Sequence, residues 1–145
     1  MIEIPVQLEK YFTSSDFKSY PKLNIPQKFV DERGAIINIA DGEIGDVAII
    51  QSKKSSIRAN HVHHSDWHLS YCLSGSLIYS YLNQELKVCS TRIFKGELFF
   101  TPEAVPHRMD FIEDTVLVVA SRNSRLQARY EEDTEKYHLN LSEDE

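Results

Sequence analysis

The sequence predicts an all-β chain folded as an antiparallel barrel or two-sheet sandwich. Runs rich in β-branched and aromatic residues are short and closely spaced, as in Ala35-Ile-Ile-Asn-Ile-Ala40 and Thr115-Val-Leu-Val-Val-Ala-Ser121. Turn formers separate them: Asp31-Glu-Arg-Gly34, Asp41-Gly42, Ser52-Lys-Lys-Ser-Ser56, Asn83-Gln84-Glu85 and Glu113-Asp114. No long stretch with a helical period occurs before the C-terminal segment, and there is no repeat at solenoid or propeller spacing. Strands this short bury their apolar faces by closing on themselves or stacking as two sheets.

Three regions follow. Residues 1–26 alternate weakly, carry Tyr11, Phe12, Phe17 and Tyr20, and end with Pro21 and Pro26, so they read as an arm or edge segment. Residues 27–123 form the barrel. Its first hairpin joins Gln27-Lys-Phe-Val30 to Ala35–Ala40 through the turn Asp31-Glu-Arg-Gly34. Further strands are expected at Asp46–Gln51, Ile57–His63, Leu69–Leu73, Ser76–Leu82, Leu86–Phe94, Leu98–Phe100, Arg108–Ile112 and Thr115–Ser121. Residues 124–145 are a C-terminal segment with an acidic end. Leu126, Tyr130 and Thr134 have helical spacing, so a partial helix over Ser124–Tyr137 and an extended tail are both open.

Composition narrows the class. A chain of 145 residues with 41% hydrophobic content is one domain with a core of its own. The net charge of -6 argues against non-specific nucleic-acid binding. Glu131-Glu132-Asp133 and Ser142-Glu-Asp-Glu145 read as a solvated terminal segment. Cys72 and Cys89 lie inside strand runs, where reduced thiols pack as small hydrophobes, and two are too few for a disulfide scaffold. No signal-type leader opens the chain and no apolar run approaches spanning length, so a cytoplasmic protein without a membrane partner is expected.

Four histidines stand out. His61, His63 and His68 lie in Arg58-Ala-Asn-His-Val-His-His-Ser-Asp-Trp-His68, with Gly75 following; His107 closes the run from Gly96 through Pro102. Imidazole is neutral near pH 7 and is the commonest metal ligand. Two residues apart on a strand, His61 and His63 project from one face. The same parity groups His68 with Ser70 and Cys72, and His107 with Met109 and Phe111. Unpaired polar groups buried in an apolar barrel cost about 1–3 kcal/mol each, and a metal ion supplies one partner to all four imidazoles. Nitrogen donors suit zinc, iron, nickel, copper or manganese.

These runs resemble the two motifs of the cupins. The first, G-x5-H-x-H-x3,4-E-x6-G, is matched by His61, His63 and Gly75, with His68 where the motif has glutamate and Ser55 and Ser56 where its leading glycine falls. The second, G-x5-P-x-G-x2-H-x3-N, is matched by Gly96, Pro102 and His107, with Ala104 for the middle glycine and Phe111 for the asparagine. The resemblance covers roughly residues 28–122 and implies a double-stranded β-helix, a jelly-roll-like barrel. Arg58-Ala-Asn-His-Val-His63 is also similar to the R-G-x-H-x-H run of the sugar 3,4-ketoisomerases, which act on nucleotide-linked keto-sugars. Those cupins work without a metal and carry glutamine at the His68 position and glycine at the Ala59 position. Asp31-Glu-Arg-Gly34 resembles a stretch near the start of the dTDP-4-dehydrorhamnose 3,5-epimerases. Small stand-alone cupins associated with polysaccharide synthesis look like this chain around Asn60–His68.

The histidine set and the cupin motifs imply a divalent ion (Zn, Fe, Ni or Mn) on His61, His63, His68 and His107. The ketoisomerase resemblance leaves a metal-free, hydrogen-bonded histidine lining as the alternative. The sugar-enzyme resemblances imply a keto-sugar isomerase or epimerase, its substrate nucleotide-linked. His61 or His63 would abstract the proton alpha to the carbonyl. Arg58 matches an arginine near the substrate's charged part, and its fork suits a phosphate, an ordinary ion pair being the competing use. Trp67 stacks on a sugar ring or belongs to the core. Two other classes remain: a metal-dependent dioxygenase or lyase, and a non-enzymatic ligand-binding barrel. His64 faces away on its strand and reads as surface, and His138 as incidental. Edge strands need cover, so a homodimer is expected, with the aromatic N-terminal arm exchanged onto the partner.

Overall fold

The computed structural model describes residues 20–25, 28–126 and 132–141. The aromatics at positions 11, 12 and 17 and the acidic end at 142–145 lie outside the described residues. The rest forms twelve strands: β1 (Lys22–Leu23), β2 (Lys28–Asp31), β3 (Gly34–Ile37), β4 (Asp46–Ser52), β5 (Ile57–His63), β6 (His68–Ser74), β7 (Ser76–Leu82), β8 (Val88–Phe94), β9 (Leu98–Thr101), β10 (His107–Phe111), β11 (Thr115–Ser121) and β12 (Thr134–Lys136). They pair antiparallel into two five-stranded sheets, β1-β9-β6-β11-β4 and β12-β5-β10-β7-β8, with β2-β3 as a separate hairpin.

The sheets face each other across an apolar interior. Cys72, Phe99, Leu117 and Val119 of the first sheet meet Leu77, Tyr79, Ile93 and Phe111 of the second, all fully or nearly fully buried. A second layer packs on the outer side of the first sheet, where Trp67, Leu69, Leu98, Phe100 and Ala120 are covered by Tyr20, Ile25, Ile39, Ala40 and Ile44. β9 is thus buried on both faces, which is why its sequence reads Leu-Phe-Phe-Thr without alternation.

The crossing from β6 to β7, between sheets, turns on Gly75. Its φ of +88° suits glycine, and a Cβ there would collide with Asp114 O and Thr115 Oγ1. The predicted first hairpin forms as β2-β3, with Asp31 accepting from Arg33 N (2.9 Å) and Arg33 Nη2 (2.6 Å). One expected strand starts late: Leu86 takes φ +61° in the turn that Asn83 Oδ1 holds from Glu85 N and Lys87 N, so β8 begins at Val88.

The C-terminal segment is extended where the helical spacing allowed a helix. Thr134–Lys136 pair with His63–His61 of β5, because β5 would otherwise present an open edge beside the histidines. Residues 127–131 of the possible helix lie outside the described residues. Among the described residues no helix is long and apolar enough to cross a membrane.

Candidate functional site

β5 and β10 are neighbours, and their register places His61 directly opposite His107. The pairing is irregular: the next pair is Ala59 with Arg108, so Asn60 is an extra residue in β5. Ala59 (φ +64°) and Asn60 (φ +60°) both lie in the left-handed region, and this bulge aims His61. Asn60 also anchors the tail, its backbone carbonyl accepting from Tyr137 N at 2.9 Å and its Oδ1 from Leu139 N at 3.2 Å.

The four predicted imidazoles come together inside the barrel. Ring centroids lie 4.4 Å apart for His61 and His63, 4.8 Å for His61 and His107, 5.5 Å for His63 and His107, and 4.6 Å for His63 and His68. His63, His68 and His107 are buried and His61 is half-buried. Two sets of donor atoms lie mutually within 4.8 Å: His61, His63 and His107, and His63, Asp66 and His68.

The hydrogen bonds fix several ring orientations. His107 Nδ1 lies 3.0 Å from Val105 O; a carbonyl only accepts, so Nδ1 carries the hydrogen and Nε2 keeps its lone pair. His63 Nδ1 sits 3.2 Å from Thr134 Oγ1 and 4.0 Å from Asp133 Oδ2, both brought by the C-terminal segment. His68 Nε2 lies 3.0 Å from Asp66 Oδ2. Tyr79, whose hydroxyl donates to Thr101 Oγ1 at 3.0 Å, stacks under His107 with centroids 6.1 Å apart.

Burial favours the neutral form of His61, His63 and His107. It is the largest cause pushing His61 down to about 4, followed by the charges of His68 and Arg125. Burial and then His61 push His107 down to about 3, against an opposing pull from its bond to Val105 O. His63 is driven down by the same causes, burial first. Neutral imidazole is the form that ligates metals.

The remaining predicted residues fall elsewhere. Arg58 gives its fork to Ser52 Oγ (2.7 Å) and Gln51 O (2.9 Å), tying β5 to β4 of the other sheet. Trp67 is 1% exposed and packs in the outer core near Phe100, so the core use of the indole prevails over stacking on a ligand. His64 is exposed against Glu135 (3.0 Å). Three polar residues that pattern reading passed over sit against the histidines: Asp66, Asp133 and Thr134. Asp133, read as part of a solvated acidic run, accepts from Ser65 N, Ser65 Oγ and Asp66 N at 2.8, 2.8 and 3.1 Å. The hint was Asp66, two residues before His68 in the same motif.

No protein-family model and no curated sequence matches the chain. Solved structures do. The capsular polysaccharide assembling protein CapF of Staphylococcus aureus aligns with TM-score 0.60 and 21% identity over 89% of this chain and 37% of its own. This chain therefore spans little more than a third of that protein. A variant of the 3,4-ketoisomerase QdtA from Thermoanaerobacterium thermosaccharolyticum, in complex with TDP-4-keto-6-deoxyglucose, aligns with TM-score 0.62 and 19% identity over 76% of this chain and 82% of its own. The dTDP-4-dehydrorhamnose 3,5-epimerase of Sulfolobus tokodaii gives 0.59 and 13% over 72% and 70%. These likenesses establish the fold as a cupin-like β-sandwich.

Proposed function

We propose that this chain is a sugar-modifying cupin that holds a divalent metal ion on His61, His63 and His107 and isomerises or epimerises a nucleotide-linked keto-sugar. The observation that carries the reading is the convergence of three imidazoles, from paired strands, with donor atoms within 4.8 Å and burial favouring their neutral form. The donor set fits an ion: His107 Nε2 keeps its lone pair because Val105 O holds the other nitrogen's hydrogen. Nitrogen donors of this kind suit zinc, iron, nickel or manganese. An ion bound here supplies positive charge to an oxygen on which negative charge develops.

The substrate class is supported by the fold neighbours, one of which is a ketoisomerase complexed with TDP-4-keto-6-deoxyglucose and another a dTDP-sugar epimerase. Proton removal next to a carbonyl needs a base within hydrogen-bond reach of the carbon, and the buried imidazole cluster provides such bases. The apolar floor formed by Tyr79 and Phe99 keeps bulk water from that end of the barrel.

Two measurements test this. Elemental analysis of protein incubated with zinc, iron, nickel and manganese in turn is expected to find stoichiometric metal, lost in His107→Ala. In deuterium oxide, TDP-4-keto-6-deoxyglucose or a related keto-sugar is expected to take up deuterium beside its carbonyl. No metal uptake and no exchange with any keto-sugar would sink the proposal.

A further inference from the structure

His68 differs from the other three imidazoles in origin and in what holds it. His61, His63 and His107 come from β5 and β10, paired in one sheet, whereas His68 opens β6 in the facing sheet. Its donor atoms group with His63 and Asp66, in a set that contains neither His61 nor His107. Its Nε2 lies 3.0 Å from Asp66 Oδ2, and both residues are buried, at 8% and 4% exposure. A carboxylate only accepts, so a neutral His68 carries its hydrogen on Nε2 and its lone pair on Nδ1.

Asp66 is itself held from two sides. Its Oδ1 accepts from Asn123 N at 3.0 Å, and its own N–H donates to Asp133 Oδ2 at 3.1 Å. A fixed carboxylate behind an imidazole sets the ring's tautomer and stabilises the imidazolium once it forms. Asp66 is hydrogen-bonded to His68, whereas His107 Nδ1 meets the backbone carbonyl of Val105.

We propose that His68 is the proton-transfer group of this site and Asp66 the residue that positions it, the ion being left to His61, His63 and His107. This rests on the isomerase reading above and names the group that moves the proton. His68 Nδ1 takes the hydrogen from the carbon beside the substrate carbonyl: the C–H bond breaks, an N–H bond forms, and the electron pair moves onto the carbonyl oxygen as an enolate. In isomerisation the imidazolium then returns the proton to the neighbouring carbon, with the hydroxyl hydrogen passing between the two oxygens. An imidazole on one face of the sugar cannot return the proton to the other face. Epimerisation therefore needs a second acid there to protonate the carbon, while His68 gives its proton to water. Neither needs an oxidant or reductant.

The test compares wild type, His68→Asn, Asp66→Asn and His107→Ala in the metal-loaded full chain. It reads bound metal and deuterium exchange into TDP-4-keto-6-deoxyglucose. His68→Asn is expected to keep its metal and lose about 100-fold or more of its exchange rate. In Asp66→Asn the amide oxygen can keep the bond from Asn123 N while the NH2 donates to His68 Nε2, which moves the ring hydrogen to Nδ1. The variant is expected to keep its metal and lose kcat by about 10–100-fold, with KM unchanged. A purely packing role for Asp66 would leave that kcat loss absent. Metal loss in His68→Asn, matching His107→Ala, overturns the proposal by making His68 a ligand. Wild-type exchange in His68→Asn with metal retained overturns the role and leaves the isomerase reading standing. No exchange by the wild type overturns both.

Discussion

Strand β10 runs from one chemistry to another along a single face. His107 at its start and Phe111 at its end are both inward and both buried, at 1% and 2% exposure. Around Phe111 the interior is filled with Leu77, Ile93, Phe99, Leu117 and Val119. Around His107 it holds three more imidazoles and, behind them, Asp66 and Asp133. The same sheet geometry serves both ends, so the backbone does not distinguish them. The difference lies in whether buried side chains satisfy one another by packing or are kept together at a cost in solvation.

The largest expected effect tests the packed end. Phe111→Ala leaves a void among side chains that are already in contact, and phenylalanine-to-alanine changes in such cores cost about 3–5 kcal/mol. Urea unfolding of the variant should show that loss, while the protein that remains folded binds metal as wild type does. If metal binding fell in step with stability, the two ends would be one cooperative unit and the comparison would not hold.

A smaller effect separates the polar end by pH. Burial lowers His107 from its ordinary 6.5 to about 3, so between those values the unfolded chain binds a proton that the folded chain does not. Stability then rises with pH across the window: this contribution is fully present above 6.5 and is lost as pH falls toward 3. One such group accounts for about 2 kcal/mol between pH 6.5 and 5. His61, lowered to about 4, acts in the same direction. Urea midpoints of chelator-treated protein should drop over this range, and His107→Gln should flatten the slope. An unchanged slope in that variant would show that burial of His107 is not what makes the histidine end acid-sensitive.

Strands and histidines were legible in the sequence because each is announced locally. Thr115–Ser121 is a self-contained β-branched run, and parity along Ile57–His63 puts His61 beside His63. What lay hidden depends on distant partners. β12 is three residues long and exists by pairing with β5, so nothing in Thr134–Lys136 itself predicts a strand. Asp133 looked like one of several solvated acids, yet three donors from the Ser65–Asp66 turn enclose its carboxylate. Trp67 lies within the histidine run, next to His68, but packs into the outer core.

The motif departures bear on the smallest effect. Ser55, Ala59 and Ala104 each stand where a resembled run has glycine, and each keeps a left-handed backbone, at φ +71°, +64° and +61°. The glycines are gone while the conformation that favours them stays. Two of the three brace the histidine end directly: Ala59 begins the bulge that aims His61, and Ala104 N donates to His63 O at 2.6 Å. A Cβ in this region costs about 1–2 kcal/mol, partly offset because glycine is freer in the unfolded chain by about 0.5–1 kcal/mol. Ala59→Gly and Ala104→Gly should therefore each stabilise the protein by roughly 0.5–1 kcal/mol. Ala48→Gly, in the regular strand β4, should destabilise it by a similar amount. Opposite signs in thermal unfolding would show that the braces of the histidine end carry a backbone strain that the regular strand does not. Equal signs would mean that the bulge and the loop before His107 relax without it, and that the two ends of the barrel differ in side chains only.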